Sequence, residues 1–333
     1  MISRRFGALV MLAAVTLAGL LAVSVSAVAQ PRKGNFRIGI LVFSSFRGPA
    51  GTLWAAFTDE LRKLGYVEGQ NITLEVREAQ SQQERLPALA AELVALNPDV
   101  IFTSTPSPIL ALKKTGTSIP VVFAGVGDIV RLGVIESIPR PGKNFTGVTN
   151  NTLEFQGKRL QLLKELVPHA IRVATFQFPL NEGSALAFDE VKKASNILGT
   201  EIIPTEIKRG EDLPEAIERA VQAGAQALMV TPDSITFVYR STIIELSRQK
   251  RLPTIYPNPI AAREGGLIAF GTDAEPQWRR AAMYVDKILR GAKPADLPVE
   301  QLNPILVINQ KTAAALGIEI PRTLLERAEE LIE

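Results

Sequence analysis

The sequence predicts an α/β protein built from two similar, doubly wound lobes. Three observations carry this. Short apolar runs alternate with amphipathic helical segments along most of the chain. The alternation restarts after about Gly147. Two stretches on either side of that point echo one another.

The first series opens at residues 36–42, an apolar run suited to a buried strand. Residues 54–64 have amphipathic helical spacing and stop at Gly65. A strand follows at 72–76, then a helix at 82–96 with Leu86, Leu89, Leu93 and Leu96 on one face. Residues 99–102 form the third strand, 107–114 a helix and 120–124 the fourth strand. Runs this apolar belong to parallel strands covered on both faces. The second series reads helix 154–166, strand 171–176, helix 184–198, strand 201–206 and helix 213–223. It continues with strand 225–230, one helix at 235–250 and strand 253–256. The echo pairs 96–102 with 224–230. Each leads into a Thr/Pro/Ser loop and a helix, then a strand opened by Pro120 or Pro253.

The chain has 333 residues, no Cys and one His. Disulfides, thiolate metal sites, Cys nucleophiles and clustered-His metal sites are therefore excluded. A Ser-His-Asp mechanism would rest on His169 alone, which reads as a helix C-terminal residue. The formal net charge is +3, and setting aside Arg4 and Arg5 lowers it to +1. That balance gives no electrostatic case for nucleic acid.

Arg4 and Arg5 precede an uncharged, mostly apolar run over residues 6–25. The small-x-small triplet Ala27-Val28-Ala29 follows, then a polar stretch from Gln30. This is the layout of a signal peptide cleaved after Ala29. The alternative is an uncleaved anchor, because a bilayer takes about 20 residues to span. No Cys is available for lipidation, and the absence of a stray thiol suits an oxidising periplasm.

Ligands of open α/β sheets meet the loops beyond the C-terminal strand ends. Here those loops supply Ser44, Ser45 and Phe46, then Ser104 and Thr105, then Asp128, Asp233 and Asn258. Ser104 and Thr105 suit a carboxylate at a helix start, and equally suit plain N-capping. Asp128 suits a ligand ammonium or a helix cap. Phe46 and Tyr256 are placed to stack on an apolar ligand, whereas Trp54, inside a helix, reads as core. Asn150, Asp233 and Asn258 would add polar contacts from the hinge and second lobe. Gly125-Val126-Gly127 begins like a dinucleotide fingerprint, but Val130 stands where the third glycine is needed. No nucleophile–base pair is visible, so the expected role is binding without catalysis or cofactor.

Several ordered stretches carry a resemblance. They include Leu64-Gly65-Tyr66-Val67-Glu68-Gly69-Gln70-Asn71-Ile72, Asn97-Pro98-Asp99-Val100-Ile101 and Val126-Gly127-Asp128. Others are Gly157-Lys158-Arg159-Leu160, Arg251-Leu252-Pro253-Thr254-Ile255-Tyr256 and Lys293-Pro294-Ala295-Asp296-Leu297-Pro298-Val299. Together they resemble ABC-transporter substrate-binding proteins of the tryptophan/tyrosine-binding group. The resemblance implies the type I periplasmic-binding-protein fold: two Rossmann-like lobes, three hinge crossings and a ligand held between the lobes. It implies crossings near Val148 and near 271–273, with a helix at 276–290 returning to the first lobe. The expected division is signal peptide 1–29, linker 30–35, lobe one 36–148 plus 273–293, and lobe two 149–272 plus 294–333. The expected function is a monomeric periplasmic solute-binding component that serves an inner-membrane ABC permease. A periplasmic sensor signalling to a membrane receptor is the alternative. The chain departs from the family pattern at Ile129, where Pro is usual, and over 259–262, where a polar or acidic stretch is common. Both departures fall near the expected cleft.

Overall fold

The computed structural model describes residues 34–45, 51–127, 129–150, 154–179 and 182–333. The first series gives β1 (Phe36–Val42), α1 (Gly51–Lys63), β2 (Ile72–Glu78), α2 (Leu86–Ala95), β3 (Val100–Ser104), α3 (Pro106–Lys114), β4 (Val121–Val126) and β5 (Phe145–Thr149). These strands pair in parallel in the order β2-β1-β3-β4-β5.

The second series gives α4 (Glu154–Leu166), β6 (Arg172–Gln177), α5 (Glu182–Leu198), β7 (Glu201–Glu206), α6 (Leu213–Gln222) and β8 (Ala227–Met229). It continues with α7 (Ser234–Val238), α8 (Arg240–Gln249), β9 (Thr254–Tyr256), α9 (Pro259–Arg263) and β10 (Ile268–Gly271). Its parallel order, β7-β6-β8-β9-β10, repeats that of the first sheet. The sequence echo is therefore a repeat of topology. The single helix expected over 235–250 is two helices that meet at Tyr239 (φ −94°, ψ 19°). The Tyr239 ring packs directly on Gly210, where a side chain would collide with it.

The chain then returns to the first sheet. α10 (Ala274–Leu289) packs on α1 and across β3, β4 and β5. β11 (Glu300–Gln301) pairs in parallel with β5. The first sheet thus keeps the chain beyond the expected boundary at 293. Polar contacts hold it there: Arg280 pairs with Glu300 at 2.8 Å and the Tyr284 hydroxyl donates to Pro298 O at 2.5 Å. A two-residue polar strand carries no hydropathy signal, so the sequence could not announce it. β12 (Ile305–Asn309) then joins the second sheet, antiparallel to β10. α11 (Gln310–Leu316), α12 (Arg322–Leu325) and β13 (Glu330–Ile332) follow, with β13 parallel to β12.

Apolar faces explain the layers. Ile38, Ile40, Phe57, Phe102, Trp278 and Val285 fill one face of the first sheet. Leu160, Leu163, Val173, Ile255, Ile268 and Ile308 fill one face of the second. Each such side chain contributes about 1.5–3 kcal/mol when fully buried. Among the described residues no helix is long and apolar enough to cross a membrane.

Candidate ligand-binding cleft

In a 2-1-3-4-5 sheet, successive connections leave in opposite directions between the first and third strands. That divergence opens a crevice at the C-terminal strand ends. The molecule has two such sheets, and residues from these ends of both line a shared cleft. It comprises two adjoining cavities of about 580 and 600 Å³, counting the part open to solvent. Thr105, Gly125, Asn150, Phe237 and Asn258 line both. Volumes of this order suit a small solute.

The expected site residues divide into several groups. Ser44 and Ser104 line the first cavity from the ends of β1 and β3. Ser45, next in the chain, is half-buried and does not line either cavity. Thr105 and Asn150 line both cavities, and Asn150 sits just past β5, where the chain leaves the first sheet. Asp233 and Asn258 line the cleft while capping helices. The Asp233 carboxylate accepts from Ile235 N at 2.7 Å, and the Asn258 amide oxygen accepts from Ile260 N at 3.3 Å. Tyr256 forms a wall of the second cavity but is 2% exposed, and its ring packs against Gly266. Burial raises its phenol above the ordinary range. Phe46 and Asp128 lie outside the described residues.

Trp54 is partly buried, stacks on Phe57 with centroids 6.1 Å apart and packs against the core, away from both cavities. His169 is exposed beyond the end of α4 and lines neither cavity. The aromatic walls of the first cavity are Phe43, Phe237 and Trp278. The Trp278 ring is fixed edge-on to Phe102, centroids 4.9 Å apart. The Arg240 cation in the second cavity is neutralised by a bidentate pair with Glu264, at 2.6 and 2.8 Å.

Ser234, Thr272, Gln277 and Trp278 were not among the residues expected from sequence. A signal for the last two existed. The helix after the second crossing was expected at 276–290, and the first turn of a crossing helix must open at the cleft. Ser234 stands in the same strand-end loop as Asp233, and Thr272 stands in the expected crossing at 271–273, so both segments carry the signal although neither side chain was singled out.

Five side-chain oxygens around the cleft have no hydrogen-bond partner among the described residues. They are Thr105 Oγ1, Asn150 Oδ1, Ser234 Oγ, Thr272 Oγ1 and Gln277 Oε1. A buried polar group left unpaired costs about 1–3 kcal/mol. Five gathered in the walls of one cleft, beside the rings of Phe43, Phe237 and Trp278, are more than ordinary packing leaves unpaired.

Comparison with known proteins agrees with this geometry. Residues 38–332 match the family model described as ABC transporter substrate binding protein. A tyrosine-binding protein of Clostridioides difficile is 26% identical over 265 residues, 79% of this chain and 76% of that one. A Streptococcus pneumonia ABC domain solved with L-Trp superposes with a TM-score of 0.80 at 23% identity, covering 90% of this chain and 100% of that one. A solute binding protein from Bacillus halodurans C-125 with bound myo-inositol gives 0.61 at 14% identity, covering 86% and 99%. These structures share the type I periplasmic-binding fold with this chain. With its family model matched across nearly all the described residues, the chain belongs to the ABC transporter substrate-binding protein family.

Proposed function

We propose that this chain is the periplasmic solute-binding component of an ABC importer. It captures a small organic solute in the cleft and closes about the three passages between the sheets. It then presents the loaded form to an inner-membrane permease, without chemical turnover. The observation that carries this reading is the set of five unpartnered side-chain oxygens beside Phe43, Phe237 and Trp278. The basic and apolar pattern over residues 4–29 supports export. The relatives that carry tyrosine or L-Trp support an amino acid or other small carboxylate with an aromatic body.

A thermal-shift screen of the chain from Gln30 onward, against amino acids, aromatic acids and polyols, tests it. A solute at a hundred times its dissociation constant adds about 2.7 kcal/mol of stability. A screen in which no small solute raises the melting temperature, together with no solute co-purifying by mass spectrometry, would sink the proposal.

A further inference from the structure

We infer that Gln277 selects the solute through its amide oxygen, which accepts a hydrogen bond from an amine or hydroxyl donor of the bound molecule. The inference rests on the binding reading above and names the chemistry at one end of the same site.

Gln277 is 1% exposed and lines the first cavity from the first turn of α10. Its Nε2 donates to Asp273 O at 3.0 Å. A backbone carbonyl only accepts, so the NH2 group must face Asp273 and Oε1 must face away from it. That oxygen has no partner among the described residues. It rests instead against Gly125, where an added Cβ would lie 3.2 Å from it. Gly125 has φ +69° and lines both cavities, so Oε1 lies buried behind the backbone at the middle of the cleft, on the wall of the first cavity.

Asn150 brings a second amide oxygen to the same corner. Its backbone N–H donates to Val126 O at 3.4 Å, and its Oδ1 is unpartnered among the described residues. Thr105 and Ser234 hydroxyls can turn either way, but an amide oxygen can only accept. A carboxylate placed here would set oxygen against oxygen. A solute lacking a donor would leave Oε1 buried and unpaired. The matching solute therefore turns an ammonium, amine or hydroxyl toward Gln277 and an apolar body toward the aromatic walls.

Calorimetric titration with three probes of one skeleton tests this: L-phenylalanine, phenethylamine and 3-phenylpropanoate. On the wild-type chain the two amine-bearing probes should bind at least about tenfold more tightly than 3-phenylpropanoate. Gln277→Leu should abolish that difference by weakening the amines, with 3-phenylpropanoate held or improved. Gln277→Glu should restore preference for the amines. Equal wild-type binding of 3-phenylpropanoate and L-phenylalanine overturns the inference. So does an equal loss of all three probes in Gln277→Leu at an unchanged ligand-free melting temperature, and so does a wild-type chain that binds none of them. The binding reading itself falls only if the wider solute screen is also silent, so the two failures are distinguishable.

Discussion

Arg131 Nη1 stands 3.7 Å from the Glu190 carboxylate, bridging the segment after β4 to α5 over the second sheet. Glu190 also pairs with Lys193 at 2.8 Å. The Lys193 hydrogen bond chiefly holds the Glu190 carboxyl below its ordinary range, with Arg131 adding to it. Arg131 is largely exposed, so the bridge is weak and salt-sensitive. Arg131→Ala should enlarge the ligand-free radius of gyration in solution scattering at low salt, and 0.5 M salt, with a screening length of about four Å, should do the same to the wild type. Solute affinity should fall by less than about fivefold. An unchanged radius would show that the bridge does not hold the two sheets together.

Arg159 poses a different problem. It is fully buried on α4, and Nε donates to Phe270 O at 2.7 Å. Its two terminal nitrogens have no partner among the described residues. Burial lowers its pKa to about 9, so it is still charged at neutral pH. Removing it orphans one carbonyl, at about 1–3 kcal/mol. Keeping it holds an uncompensated charge out of water, at a cost of several kcal/mol. The second term is the larger. Arg159→Met should therefore raise the unfolding free energy by about 1–3 kcal/mol, read as a higher urea midpoint at unchanged slope. A lower midpoint would mean that the Phe270 bond outweighs the buried charge.

The parallel strands and their helices were legible because apolar period and run length report burial directly. Residues 154–166 and 201–206 match α4 and β7 end for end. What escaped was set by contacts remote in sequence. The polar β11 exists because β5 offers it a partner, and the break at Tyr239 lies where its ring packs on Gly210, far away in sequence. The strand-end rule picked out Ser44, Ser104, Thr105, Asp233, Tyr256 and Asn258, and the expected hinge picked out Asn150; all of them line the cleft. The rule could not tell a helix cap such as Asp233 from an unpartnered hydroxyl such as Thr105, because that depends on which way the side chain turns.

Arg263 ties α9 to both the second passage and the last strand. It contacts Asp273 and Glu330, each at 2.7 Å. The Arg263 hydrogen bond is the main reason the Glu330 carboxyl is held below its ordinary value of 4.5. A carboxyl depressed in the folded state stabilises the fold fully above its unfolded value. That contribution is lost as pH falls through the lower folded value. The melting temperature of the wild type should exceed that of Glu330→Gln at pH 7. The two should converge as the pH drops below 4.5. A gap that persists in acid would assign the difference to packing and not to the ion pair.

Thr105 has φ 66° and ψ 159°, a region essentially reserved for glycine. A β-branched side chain there is a pronounced outlier, at a cost of about 1–3 kcal/mol. Helix capping does not account for it, since the Thr105 side chain makes no capping bond to α3. Its Oγ1 instead has no partner among the described residues, at the junction of the two cavities. Strain of this kind persists only where the surroundings over-determine it, and on the proposed binding role that surrounding is the cleft. Thr105→Gly relieves the strain and adds about 0.5–1 kcal/mol of unfolded-state entropy against it. The net expectation is a stability gain of about 1 kcal/mol, with solute affinity reduced at least about tenfold by the lost hydroxyl and the loosened turn. Denaturant melts and titrations on the same preparation should move in opposite directions. If stability and affinity fall together, Thr105 serves the fold alone.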